Sequence, residues 1–199
     1  MTNTEEKYTN SSHNFNYNGD IKIKIMDGNR IYSEKHYHNA GCRTLFNFFV
    51  DCLVGNYNIA KSSRPCRIVL FKADKKDTQD ATYPHPNWSE ETRVSSKIYY
   101  DSTAFPAKTD GSGSVTFHFR IPFIALNPGE RVTKLGLYPD QISNFESDLC
   151  AEYRISQDAD DSKDPDKYLF EIPINNSNYT VIIDWTLTIT NQEKTNTNN

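Results

Sequence analysis

Nowhere does the sequence approach the ~20 consecutive apolar residues of a membrane-spanning helix, because charge interrupts every apolar run well before that length. No membrane segment and no membrane partner are therefore expected. A concentrated basic surface is lacking too. Lys and Arg number 22 against 26 Asp and Glu, a net charge of -4, and they are scattered rather than gathered into a stripe. Without that footprint nucleic acid is not an expected partner. Hydrophobic residues reach only 36%, with a mean hydropathy of -0.73. The core must then rely on aromatics, and 12 Tyr and 11 Phe supply large apolar area in residue types that suit strands. At 199 residues one domain that buries roughly 70% of its unfolded surface is expected. Met1-Thr2-Asn3-Thr4-Glu5-Glu6-Lys7 has neither the basic start nor the apolar stretch of a signal peptide. Synthesis in a cytoplasm follows as an expectation, with Cys42, Cys52, Cys66 and Cys150 as reduced, buried thiols.

Catalytic patterns are equally sparse. No nucleophile elbow, nucleophile with a nearby base or pair of strand carboxylates stands out in the sequence. His118 and Asp184 are the only well-placed titratable residues, each on the polar side of a strand, and one wet sheet face accounts for both. His36, His38, Cys42, Cys52 and Cys66 place nitrogen and sulfur close in sequence, but their spacing fits no zinc finger or ribbon. Loop histidines and buried thiols explain the same letters. Asp158, Asp160, Asp161, Asp164 and Asp166 crowd one segment, yet the sixth and twelfth places from Asp158 hold Lys163 and Leu169, where a calcium loop needs Gly and Glu. The segment reads as a solvated acidic loop. Asn178-Tyr179-Thr180 is a glycosylation sequon by letters only. No catalytic residue, metal or cofactor is expected, and the chain reads as a non-enzyme.

What is present is a run of strand patterns. In Val115-Thr116-Phe117-His118-Phe119-Arg120-Ile121-Pro122-Phe123 every odd residue is apolar, the period of two of a half-buried strand. Asn127-Pro128-Gly129-Glu130 then signals a turn, and Val132 to Tyr138 opens a second apolar run, expected as the antiparallel neighbour of the first. Ile21, Ile23 and Ile25 alternate with lysines up to Asp27-Gly28-Asn29, a hairpin signal, with a return over Arg30 to His36. Leu45, Phe48, Phe49, Cys52 and Leu53 switch to helical spacing, and Gly55 suits a left-handed cap, so a helix is expected at about 43–54. Cys66 to Ala73 is apolar on both faces around Ile68 to Phe71, as in a strand buried on both sides. Residues 74–93 are charged and Pro-broken, a long surface loop with Tyr83 and Trp88 in it. Ile98 to Tyr100, Leu149 to Ile155 and Tyr168 to Ile174 read as further strands. Tyr179 to Thr190 is the clearest of all, with Val181, Ile183, Trp185 and Leu187 on one side.

The sum is an all-β, antiparallel β-sandwich of jelly-roll type with one amphipathic helix. Residues 1–19 read as a flexible arm, 20–190 as the sandwich and 191–199 as a polar tail. Phe15 and Tyr17 in the arm, and Tyr83 and Trp88 in the loop, are candidate contacts to a partner or a glycan. Trp88, Tyr83, Tyr99 and Tyr100 could together form a stacking platform.

The order of these segments resembles a known group. His38-Asn39-Ala40-Gly41 leads to Leu45-Phe46-Asn47-Phe48-Phe49, then come Arg64-Pro65 before a strand and Val115 to Phe123. Lys134-Leu135-Gly136-Leu137-Tyr138, Leu149-Cys150-Ala151-Glu152-Tyr153 and Val181 to Ile189 follow. In this order the chain is similar to virion proteins of tailed bacteriophages, including crAss-like gut phages, over about residues 20–190. The resemblance implies a capsid decoration, head-fibre or tail-associated protein, made in the host cytoplasm and resident in the virion. It implies a symmetric homo-oligomer bound to other virion proteins. The alternative is a carbohydrate- or receptor-binding module that contacts host-surface glycan through the 74–93 loop.

Overall fold

Alternation along the last strand sets the axis of the molecule. A computed structural model describes residues 13–41, 54–55, 65–72, 90–95, 99–100, 107–109, 114–155, 168–175 and 178–193. Their strands are β1 (His13–Asp27), β2 (Arg30–Gly41), β3 (Pro65–Phe71), β4 (Tyr99–Tyr100), β5 (Ala107–Thr109) and β6 (Ser114–Pro122), followed by β7 (Arg131–Val132), β8 (Lys134–Pro139), β9 (Ala151–Arg154), β10 (Phe170–Glu171) and β11 (Tyr179–Glu193). β11 buries Val181, Ile183, Trp185 and Leu187 and turns Ile182, Asp184, Thr186 and Thr188 outward, half-buried. It pairs antiparallel with β1 from His13↔Glu193 to Asp27↔Tyr179 and with β6 from Thr180↔Pro122 to Thr188↔Ser114.

Nine strands form one sheet in the order β4-β3-β8-β9-β2-β1-β11-β6-β5, and β10-β7 form a second, two-stranded sheet. Every pairing in both is antiparallel. The hairpin between β1 and β2 is the tight one that Asp27-Gly28-Asn29 predicts. Asp27 faces Arg30 across it, and Gly28 takes φ 56°, the left-handed region that a two-residue hairpin asks of its first central residue.

One core unites the two halves of the long sheet. Ile21, Phe119, Ile183 and Trp185 from one half pack in a single cluster with Ile68, Leu70, Leu135 and Leu137 from the other. Each large side chain so buried contributes about 1.5–3 kcal/mol. A smaller cluster of Val69, Phe71, Tyr138 and Leu149, joined by Ile142 and Phe145, lies on the other face of β3 and β8. Residues 68–71 are thus all buried, which explains why that run is continuously apolar.

Several expectations need correction. β6 and β8 are not neighbours, because β11 and β5 occupy the two edges of β6 while β3 and β9 flank β8. A 3-10 turn at Phe123–Ala125 and the turn around Gly129, φ 78°, carry the chain from one half of the sheet to the other. The stretch 74–93 is not wholly a surface loop. Thr92 and Arg93 are buried, since Lys72 N–H donates to the Thr92 carbonyl at 2.8 Å and Val94 N–H to that of Leu70 at 3.0 Å. β1 begins at His13 and β11 ends at Glu193, so the arm does not extend to 19 nor does the tail begin at 191. Polar residues there hold a ladder through their backbones, which composition does not report. The expected helix at 43–54 lies outside the described residues save for Val54, which forms a turn with Gly55. No α-helix is found among the described residues.

Candidate functional site

Among the described residues, the outward face of β2, β1, β11 and β6 carries rows of titratable and hydroxyl side chains. Register aligns His36, Lys22, Asp184 and His118 in one row across the four strands, and His38, Asp20, Thr186 and Thr116 in the next. Asp20 and Lys22 of β1 and Asp184 and Thr186 of β11 reach this face because Ile21, Ile23, Ile183 and Trp185 fill the core. His118 Nδ1–H donates to the Asp184 carboxylate across β6 and β11. Both groups keep part of their surface in water, with side-chain exposures of 39% and 26%.

Polar groups along the same face also meet one another. Thr116 and Thr186 hydroxyls lie 2.8 Å apart, as do those of Ser114 and Thr188. His38 Nδ1 is 2.6 Å from Asp20. Lys22 Nζ is 2.7 Å from Glu34, and His36 Nε2 is 3.1 Å from the same carboxylate. The hydrogen bond from Lys22, then that from His36, holds the Glu34 carboxyl down at about 2. An imidazole oriented by a carboxylate is competent for proton transfer. Beside it the Thr116 and Thr186 hydroxyls meet each other across β6 and β11, a cross-strand pair of the kind that stabilises sheets.

The other sequence candidates disperse. Phe15 and Tyr17 stand in β1 at the positions opposite Asn191 and Ile189. Tyr83 and Trp88 lie outside the described residues, so the proposed aromatic platform is represented only by Tyr99 and Tyr100 of β4. Tyr99 is turned to an internal role. Its hydroxyl donates to the Ala125 carbonyl at 3.0 Å and lies 3.1 Å from Ser95 Oγ. Burial pushes its phenol up, against the opposing effect of the Ser95 hydrogen bond. Of the metal candidates, His36 and His38 pair with Glu34 and Asp20, Cys66 is half-buried in β3, and Cys42, Cys52 and the acidic run 158–166 lie outside the described residues. Among the described residues no three His, Cys, Asp or Glu side chains converge on a point. Cys150 is buried, as expected of it.

Sequence reasoning missed one polar cluster. Asp148 Oδ2 accepts the Ser143 and Asn144 N–H groups at 2.6 and 2.9 Å and the Ser143 hydroxyl at 2.9 Å. Burial raises the Asp148 carboxyl, but these bonds and the Ser147 hydroxyl outweigh it and hold the group below its ordinary range. Ser143-Asn144-Phe145-Glu146-Ser147-Asp148 did carry the signal, since Asn and Asp favour such local turns. No family model, no curated protein and no solved structure matches the chain.

Proposed function

We propose that this chain is a non-enzymatic structural component of a bacteriophage particle, a capsid decoration, head-fibre or tail-associated protein that acts by assembling with copies of itself and with other virion proteins. The observation that carries the reading is the outward sheet face. The imidazoles of His38 and His118, the Lys22 ammonium, the carboxylates and the hydroxyls pair across strands, a use of polar residues that stiffens a slab rather than addressing a substrate. The resemblance of its segment order to tailed-phage virion proteins suggests the particle. In this reading the two halves of the long sheet face each other as the layers of an antiparallel sandwich of jelly-roll type, with their common core between them. The protein is made in the host cytoplasm and resides in the virion.

Mass spectrometry of purified particles tests the proposal, with the protein expected at a stoichiometry that matches a symmetric position. Its absence from intact particles would sink it. Glycan-array binding abolished by Trp88→Ala, in a protein missing from particles, would instead establish the receptor-binding module.

A further inference from the structure

Three of the chain's five histidines, His36, His38 and His118, stand on the outward face of β2, β1, β11 and β6. Each has a carboxylate within hydrogen-bond reach, Glu34, Asp20 and Asp184 in turn. The imidazoles meet water, with side-chain exposures of 65%, 81% and 39%, so each exchanges protons with the solvent. Register also fixes the permanent charges around them. The row beside His36, Lys22, Asp184 and His118 is Glu34, Lys24, Ile182 and Arg120. Lys22, Lys24 and Arg120 are thus balanced by Asp20, Glu34 and Asp184. With neutral imidazoles the four strands present no net charge on this face. With all three protonated they present a surplus of three positive charges. Glu34 stays an anion throughout, since the hydrogen bond from Lys22, then that from His36, holds its carboxyl at about 2. At the margins β9 adds Glu152, opposite Ala40, and Arg154 further along, while β5 adds Lys108 opposite Val115.

We propose that this face is an acid-operated charge switch, balanced while its imidazoles are neutral and, once they are protonated, a cationic surface that binds an acidic polysaccharide. Imidazole is the one side chain whose unperturbed charge change falls between about pH 5 and 8. While the imidazoles are neutral the polar pairs serve the sheet alone. As pH falls each imidazole gains a charge, and the carboxylate beside it is offset by that charge. Lys22, Lys24 and Arg120 are then left uncompensated, and the face attracts anions. Composition of the face favours a polysaccharide over other polyanions. Ser114, Thr116, Thr186 and Thr188 line the adjoining rows with hydroxyls, groups that suit sugars. The rows hold no Phe, Tyr or Trp on which nucleic-acid bases would stack. None of the exposed large apolar side chains among the described residues lies in them to enter a lipid surface. The inference goes beyond assembly into a particle and does not depend on it.

The test is binding of the full chain to heparin, a sulfated polysaccharide, at about pH 8 and about pH 5.5, on either side of the imidazole range. The proteins compared are wild type, His36→Gln/His38→Gln/His118→Gln and, as a control, His13→Gln/His85→Gln, the two remaining histidines. Wild type should bind roughly tenfold or more tightly at the lower pH, a gain that three charges near an anionic surface supply. The triple variant should lose that gain with an unchanged circular dichroism spectrum, and the control should keep it. An NMR titration of the wild-type imidazole rings needs no variant. His36, His38 and His118 should each change charge between about pH 5 and 8. Equal binding by wild type at both pH values, a triple variant that gains as wild type does, a control that loses the gain, or imidazoles of fixed charge over that range would overturn the switch. Duplex DNA or anionic phospholipid vesicles bound in acid as tightly as heparin would overturn the polysaccharide as its occupant.

Discussion

Gly136 shows how little room the second hydrophobic cluster leaves. A Cβ added there would stand 2.4 Å from Tyr138 Cε2 and 2.9 Å from Leu149 Cδ1. Tyr138 cannot move away easily, since it is fully buried and its hydroxyl donates to the Phe145 carbonyl at 2.8 Å. Gly136→Ala should therefore cost about 1–3 kcal/mol, the range of overpacked cores, read as a lower urea midpoint. Asp148 acts through charge. Its folded carboxyl titrates below the ordinary value, so it stabilises the fold above the unfolded pKa of ~3.9 and loses that contribution as pH falls through the lower, folded value. Asp148→Asn should be less stable than wild type at neutral pH, and the gap should narrow below about pH 4. Chemical denaturation of both proteins across that range measures it.

Strand periodicity is what the elements rest on, and β11 offers the cleanest test of it. Ile183 is fully buried and faces Ile23 on one side and Phe119 on the other. Its neighbour Asp184 looks outward to His118. Ile183→Ala is expected to cost about 2–5 kcal/mol through lost contact and residual cavity. Asp184→Asn should cost about 1 kcal/mol or less, because water screens a pair that is partly exposed. Equal effects at the two positions would mean that the register is wrong by one residue. The same periodicity made Ile21 to Ile25, Val115 to Phe123 and Tyr179 to Thr190 readable in advance. Shorter elements were blurred: Tyr168 to Ile174 promised a strand, and only Phe170–Glu171 pairs. Two residues of ladder carry too little pattern to be located by letters.

For the molecule as a whole, the long β1–β11 ladder joins what composition had assigned to separate regions. Removing residues 1–18 deletes every pair from His13↔Glu193 to Asn18↔Thr188. The amides of residues 189–193 should then lose protection from hydrogen exchange, and the melting temperature should fall by ~2–4 °C for each kcal/mol of ladder lost. An unchanged exchange pattern would show that those pairs add nothing in solution.

The sequence by itself determined the class and the local geometry. Alternating apolar residues require strands with one dry face, Asp27-Gly28-Asn29 permits a tight hairpin, and the continuous run at Ile68 to Phe71 demands cover on both sides. Which strands pair was decided only by the tertiary structure. A strand's pattern says which face is apolar and nothing about its partner, so the first-to-last pairing of β1 with β11 and the separation of β6 from β8 had no local signature. The pairing of His118 with Asp184, and of Lys22 with Glu34, lay hidden for the same reason. Each residue advertised a polar face, but cross-strand distance is a property of register. The exposure of Ile124 and Ile174 was likewise not written in the letters, because only the folded chain leaves these apolar side chains in water.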